Sequence, residues 1–145
     1  MNIKVDRFLL LFLILPMYGL RAQSNSGQIP EIDFCDLSKY EGKTVKITCS
    51  YSGVDAYWGL GSLPNKKCKQ DLSIELNVNK DHLSKKYQKD FAKVHEKYWL
   101  YYMILKMTGR FENGTKSGDN RLSSNSSRFI ADEIEDIQLL ERITK

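Results

Sequence analysis

Chemically versatile side chains are few in this chain of 145 residues, and their spacing limits what they can do. Its two histidines, His82 and His95, fall in one stretch of helical character. Thirteen residues apart on a helix, they sit about 220° apart around the axis, so they share neither a metal nor a substrate. Each is read as a solvated surface residue. Nucleophilic catalysis by Ser or Cys needs a histidine base, and these two are the whole supply. No Gly-rich phosphate loop and no His/Cys metal spacing occurs in the sequence. The expectation is therefore no catalytic residue, no metal site and no cofactor. The acidic run Asp132, Glu133, Glu135, Asp136 would suit a carboxylate pair for hydrolysis or a calcium site. Neighbours on a strand point to opposite faces, so only Glu133 with Glu135, or Asp132 with Asp136, converge there. A solvated strand face is expected, with a small carboxylate-dependent hydrolase as the alternative.

Residues suited to binding are more numerous. Lys85, Lys89, Lys93 and Lys97 recur every fourth position, joined by Lys86. Like charges at that spacing disfavour a helix by a few tenths of a kcal/mol per pair, roughly. They form either an outward solvated face or a basic ridge for an anionic partner. Tyr57 and Trp58, close to Lys66 and Lys67, are candidate ligand contacts, with Tyr51 nearby. Such aromatics either stack on a ligand or fill the mouth of a small core.

Composition narrows the partners. Residues 1–22 begin with Lys4 and Arg7, continue through the apolar run from Phe8 to Leu15, and end at Ala22. This is the pattern of a secretory signal peptide, too short and too broken by Pro16 and Gly19 for a spanning helix of about 20 apolar residues. Cleavage after Ala22 is expected, and a retained membrane anchor is the alternative. Once cleaved, the chain keeps no transmembrane segment and the product is secreted or periplasmic. It then carries 19 basic and 17 acidic side chains, so nucleic acid is disfavoured as a partner. An anionic envelope polymer or a protein is the better expectation. Of the cysteines Cys35, Cys49 and Cys68, the second shares a strand face with Val45 and Ile47 and reads as a small core residue. Cys35 and Cys68 lie in turn-like surroundings and are expected to pair.

These residues must be positioned by elements that the sequence outlines in order. Residues 23–33 are polar and read as a flexible leader, and one domain spans 34–145. A helical turn ending at Gly42 leads into an alternating strand over 43–51. A second strand over 56–60 and a third over 72–78 follow. From Asp81, the expected N-cap, to about Tyr98 the period lengthens, and Leu83, Tyr87, Phe91, Val94 and Tyr98 form an apolar stripe about 80° wide. That stripe should cover the core, which argues against a membrane-surface helix. A strand over 99–111, a polar connection over 112–128 and a closing strand over 129–140 complete the domain. For the last, a helix is the alternative, because Ile130, Ile134 and Ile137 also fit one.

The order β-β-β-α-β-β predicts a mostly β fold, a five-stranded OB-like barrel with one amphipathic helix between strands three and four. Cys35-Asp36-Leu37, the run from Tyr40 to Ile47, Cys68 and the run from Met107 to Phe111 resemble a group of small secreted bacterial OB-like proteins of unknown function. The resemblance covers roughly residues 34–140 and implies a fold without an activity. The function expected is a non-catalytic extracytoplasmic binding or accessory module. A protein-interaction module using the lysine ridge or a sheet edge is its rival.

Overall fold

A computed structural model of the protein describes residues 27–69, 74–114 and 127–143. The expected signal segment, the start of the leader, Leu72 and most of the connection after Glu112 lie outside the described residues. Strands β1 (Thr44–Val54), β2 (Tyr57–Gly61), β3 (Ile74–Asn77), β4 (Tyr101–Glu112) and β5 (Ser127–Glu141) close a barrel in the order β1-β2-β3-β5-β4. The helix α1 (Lys85–Glu96) lies between β3 and β4 in the chain. This is the OB-like architecture that the element order predicts. Among the described residues no helix is long and apolar enough to cross a membrane.

β1 organises the wall because its alternation puts Val45, Ile47, Cys49 and Tyr51 into the core. It pairs with β4 from Thr44 to Tyr51, and with β2 only from Ser50 onward. The first half of its other edge is therefore left to another partner. Ile32 donates its N–H to the Lys46 carbonyl and Lys46 donates to the Pro30 carbonyl, both at 2.9 Å. The segment read as a leader thus joins the fold before Phe34. A 3₁₀ turn, Phe34–Tyr40, follows, capped by the Asp33 carboxylate, and buries Phe34 and Leu37. Cys35 and Cys68 form the expected disulfide, with Cα atoms 5.2 Å apart, and Cys49 stays free in the core.

The helix is shorter than its sequence pattern. Ser84, not Asp81, is the N-cap, its hydroxyl accepting from the Tyr87 N–H at 3.3 Å. Asp81 belongs to a separate 3₁₀ turn, Lys80–His82, capped by Asn79. α1 ends at Glu96, so Lys97 and Tyr98 lie beyond it. Its inward anchors, Phe91 and Val94, are buried in the barrel core. Burying two such side chains contributes roughly 3 to 6 kcal/mol, which outweighs the lysine repulsion of a few tenths per pair.

The closing segment is a strand, and its helix-like spacing has a cause. Phe129, Ala131, Ile134, Ile137 and Leu139 pack on the core at intervals of two, three, three and two. Each interval of three marks a bulge: Asp132 and Glu135 have no partner in the register that pairs Gly109 with Ala131, Thr108 with Glu133, Met107 with Ile134 and Lys106 with Asp136. At the first bulge the strands approach so closely that a Cβ on Gly109 would lie 2.1 Å from the Ile130 carbonyl oxygen.

Candidate functional site

Among the described residues an aromatic cluster gathers side chains from three elements, β1, β2 and α1. Tyr51 is the last inward residue of β1 and is buried. Trp58 lies on β2 opposite Gly53 of β1, where a Cβ would come within 2.7 Å of the indole. Glycine at that position lets the Trp58 ring lie against the strand and stack on Tyr51, with centroids 5.4 Å apart and planes 27° apart. From α1, His95 packs on Trp58 at 4.1 Å and shares a 2.9 Å hydrogen bond between its Nε2 and the Tyr51 hydroxyl. Phe91, one helical turn earlier, meets Tyr51 edge-on at 5.5 Å.

His95 is therefore not a solvated surface residue. The apolar stripe carried the signal: His95 follows Phe91 by four residues and shares its face, although a reading centred on Leu83 passes over it. His82 does stay exposed, beside Asn79 at 3.4 Å. Burial pushes the Tyr51 phenol up to about 12. Burial also holds the His95 imidazole below its ordinary 6.5, with the Lys80 ammonium adding to the effect. At neutral pH the pair is thus an uncharged hydrogen bond that fixes the angle of the Trp58 support.

Next to this cluster the barrel wall opens. Among the described residues β2 and β3 pair only at Leu60 and Ile74. The opposite edge of β3 is satisfied by β5 in parallel from Ile74 to Asn77. Tyr57–Gly59 and Glu75–Leu76, beside the Leu60–Ile74 pair, line a groove of about 570 Å³. Tyr57 is 85% exposed. Flat aromatic faces beside diverging main chains suit a ligand that combines an apolar or ring surface with hydrogen-bonding groups.

The four expected contact residues do not converge. Tyr57 and Trp58 both line this groove, although as neighbours on β2 they leave the strand on opposite faces, whereas Lys66 and Lys67 do not line it. β2 runs away from Tyr57, so the loop that follows Gly61 starts at the opposite end of the strand. Lys66 there forms an ion pair with Asp33, beside a cavity of about 160 Å³ that Cys35 and Phe34 also line. That pairing holds the Asp33 carboxyl below its usual range.

The other candidates separate as well. Lys85, Lys86, Lys89, Lys93 and Lys97 are all exposed, and no ion pair ties them to a described residue. In the acidic run, the bulged Glu135 receives the Lys46 ammonium at 2.7 Å and the buried Thr108 hydroxyl at 3.0 Å. These contacts hold its carboxyl below the ordinary carboxylate range, opposite to what a general acid needs. Asp132 and Glu133 remain exposed and border a groove of about 320 Å³ with His82. Among the described residues no cluster of three or more His, Cys, Asp or Glu is arranged to hold a metal ion. No protein-family model, no curated protein and no solved structure matches this chain.

Proposed function

We propose that this chain is a non-catalytic extracytoplasmic binding or accessory module that takes its ligand in the groove between β2 and β3. The observation that carries the reading is the immobilised Trp58 in the lining of that groove, with the exposed Tyr57 next to it in β2. An aromatic face already fixed by Tyr51 and His95 loses little rotamer freedom when a ligand stacks on it. The apolar N-terminal segment and the disulfide support placement outside the cytoplasm. The acid-run alternative is disfavoured by the engagement of Glu135 with Lys46 and Thr108.

An extended protein segment is the second reading for the same groove, favoured by the divergence of two strand edges that would accept it through main-chain hydrogen bonds. The test is an NMR titration of the isotopically labelled protein with soluble neutral and anionic oligosaccharides and with unstructured peptides. Shifts confined to Tyr57–Gly59 and Glu75–Leu76, lost in Tyr57→Ala and Trp58→Ala, support the groove, and the responding class names the ligand. Shifts that map elsewhere, or that survive both substitutions, remove it.

A further inference from the structure

A second surface, outside the groove, combines the features of an interfacial membrane contact. α1 turns into β4 through Tyr98–Leu100, held by N–H groups of Leu100 and Tyr101 donating to the Lys97 carbonyl, each at 3.0 Å. Trp99 is 56% and Leu100 39% exposed in this turn, and Tyr98 meets Trp99 edge-on at 5.1 Å. The Arg142 N–H donates to the Leu100 carbonyl at 2.7 Å, which brings Ile143, 89% exposed, to the same corner. The Arg142 side chain donates to the carbonyls of Tyr98 and Tyr101, so the corner is braced from below by a cation.

The surrounding charge is of one predominant sign. Lys85, Lys86, Lys89 and Lys93 run along α1 toward the corner, Lys97 sits at its edge, and Arg142 lies within it. Asp90, Glu96 and Glu141 are the acids of the same region, the last accepting from the Tyr101 hydroxyl. Lys93 lies 4.3 Å above the Tyr101 ring, which joins the lysine row to the apolar turn. Scattered exposed apolar residues are ordinary, but a Trp, a Leu and an Ile gathered at one corner and rimmed by cations are not. Tryptophan is favoured at the level of lipid headgroups, and lysines near an anionic leaflet are attracted to it.

We propose that this corner docks the protein on an anionic lipid bilayer, with Trp99, Leu100 and Ile143 entering the headgroup region and the lysine row lying over it. The apolar stripe of α1 takes no part, since Phe91 and Val94 are inside the barrel. The occupant follows from the charge: a neutral bilayer offers no counter-charge to the lysine row, which no ion pair ties to a described residue.

The test uses vesicles of phosphatidylcholine alone and of equal parts phosphatidylcholine and phosphatidylglycerol, each with brominated acyl chains that quench tryptophan on contact. The expected result is quenching that requires phosphatidylglycerol and disappears in Trp99→Phe. Changing Lys85, Lys89, Lys93 and Lys97 together to Gln should raise the lipid concentration needed by roughly a hundredfold or more. Because the quenching lost in Trp99→Phe reads Trp99 and not Trp58, a retained N-terminal anchor does not mimic it. Quenching that is absent, equal in neutral vesicles or unchanged by Trp99→Phe overturns the proposal. Absence of quenching with an intact fold leaves the corner to an acidic protein.

Discussion

β4 runs beside β5 from Tyr101 to Glu112 and beside β1 from Thr44 to Tyr51, whereas β2 and β3 pair only at Leu60 and Ile74 among the described residues. The long side holds Ile47, Met103, Leu105 and Met107 with no exposure at all, and its one buried polar side chain, Thr108, is satisfied by Glu135. The short side leaves Tyr57 in solvent and a groove in the wall. The fully paired core and the candidate groove thus lie on different arcs of one barrel. A wall that is well paired on three strands tolerates an opening on the fourth and fifth, and binding sites are drawn from such less stable segments. The disulfide crosses between the two arcs, tying the loop after β2 to the turn before β1.

Breaking the long side should have the largest effect. Gly109→Val places branched carbon where even a Cβ meets the Ile130 carbonyl at 2.1 Å, and should cost about 4 kcal/mol or more of unfolding free energy in a urea titration. A cost under about 1 kcal/mol would mean that β4 and β5 separate freely, against the comparison. The double change Cys35→Ser with Cys68→Ser releases a loop spanning a separation of 33 residues and should cost roughly 3 to 4 kcal/mol. The release should loosen β2 and β3 more than β4.

Native-state hydrogen exchange sharpens the contrast without a substitution. Amides of Ile47 and Leu105 should exchange only through global unfolding, and those of Trp58 and Leu76 at least about a hundredfold faster. Equal rates on both arcs would make the barrel one cooperative unit. A smaller effect is expected from pH. The folded form disfavours protonated His95, so its contribution is full above pH 6.5 and is lost as pH falls through the lowered folded value. Lys80 is the charged group acting on His95, with uncharged Tyr51, Trp58 and Phe91 as its other neighbours. His95→Gln should flatten stability between pH 7 and 5. The lowered carboxyls of Asp33 and Glu135 act in a separate window, since their stabilisation is present above their ordinary values and is lost only as pH falls below them. The smallest effect is that of Tyr57→Ala, expected within about 0.5 kcal/mol of the parent, because the ring is in solvent.

The long side was readable because its pattern is local. Val45, Ile47 and Cys49 alternate on β1, the disulfide followed from their neighbour relations, and the stripe of α1 revealed its buried face. β5 was harder to tell from a helix because two extra residues, Asp132 and Glu135, stretch a two-residue period into threes. Nothing in a single chain marks such insertions, since a bulge is a relation between two strands. The candidate site was half legible for the same reason. Tyr57 and Trp58 stood out by type, but the groove arises beside a β2–β3 pairing that among the described residues is limited to Leu60 and Ile74, and no residue type encodes the extent of a pairing. Lys66 and Lys67 looked close in sequence, yet the direction of β2 carries them away from Tyr57. His95 was misread because the helix packs its last turn on Trp58, a tertiary fact that a helical wheel omits.

The third thiol bears on which cross-links the closed barrel permits. Cys49 sits in the middle of β1 with no exposure, and burial pushes its thiol upward, away from the reactive thiolate. A chain in which Cys49 had already joined Cys35 or Cys68 would hold the centre of β1 at the surface and could not complete the barrel. Closure of the wall before oxidation removes Cys49 from exchange and leaves Cys35 and Cys68 as the remaining couple. The closed barrel thus shields its cross-link from exchange with Cys49, and the rate at which a thiol reagent reaches Cys49 reports how often the closed wall comes apart.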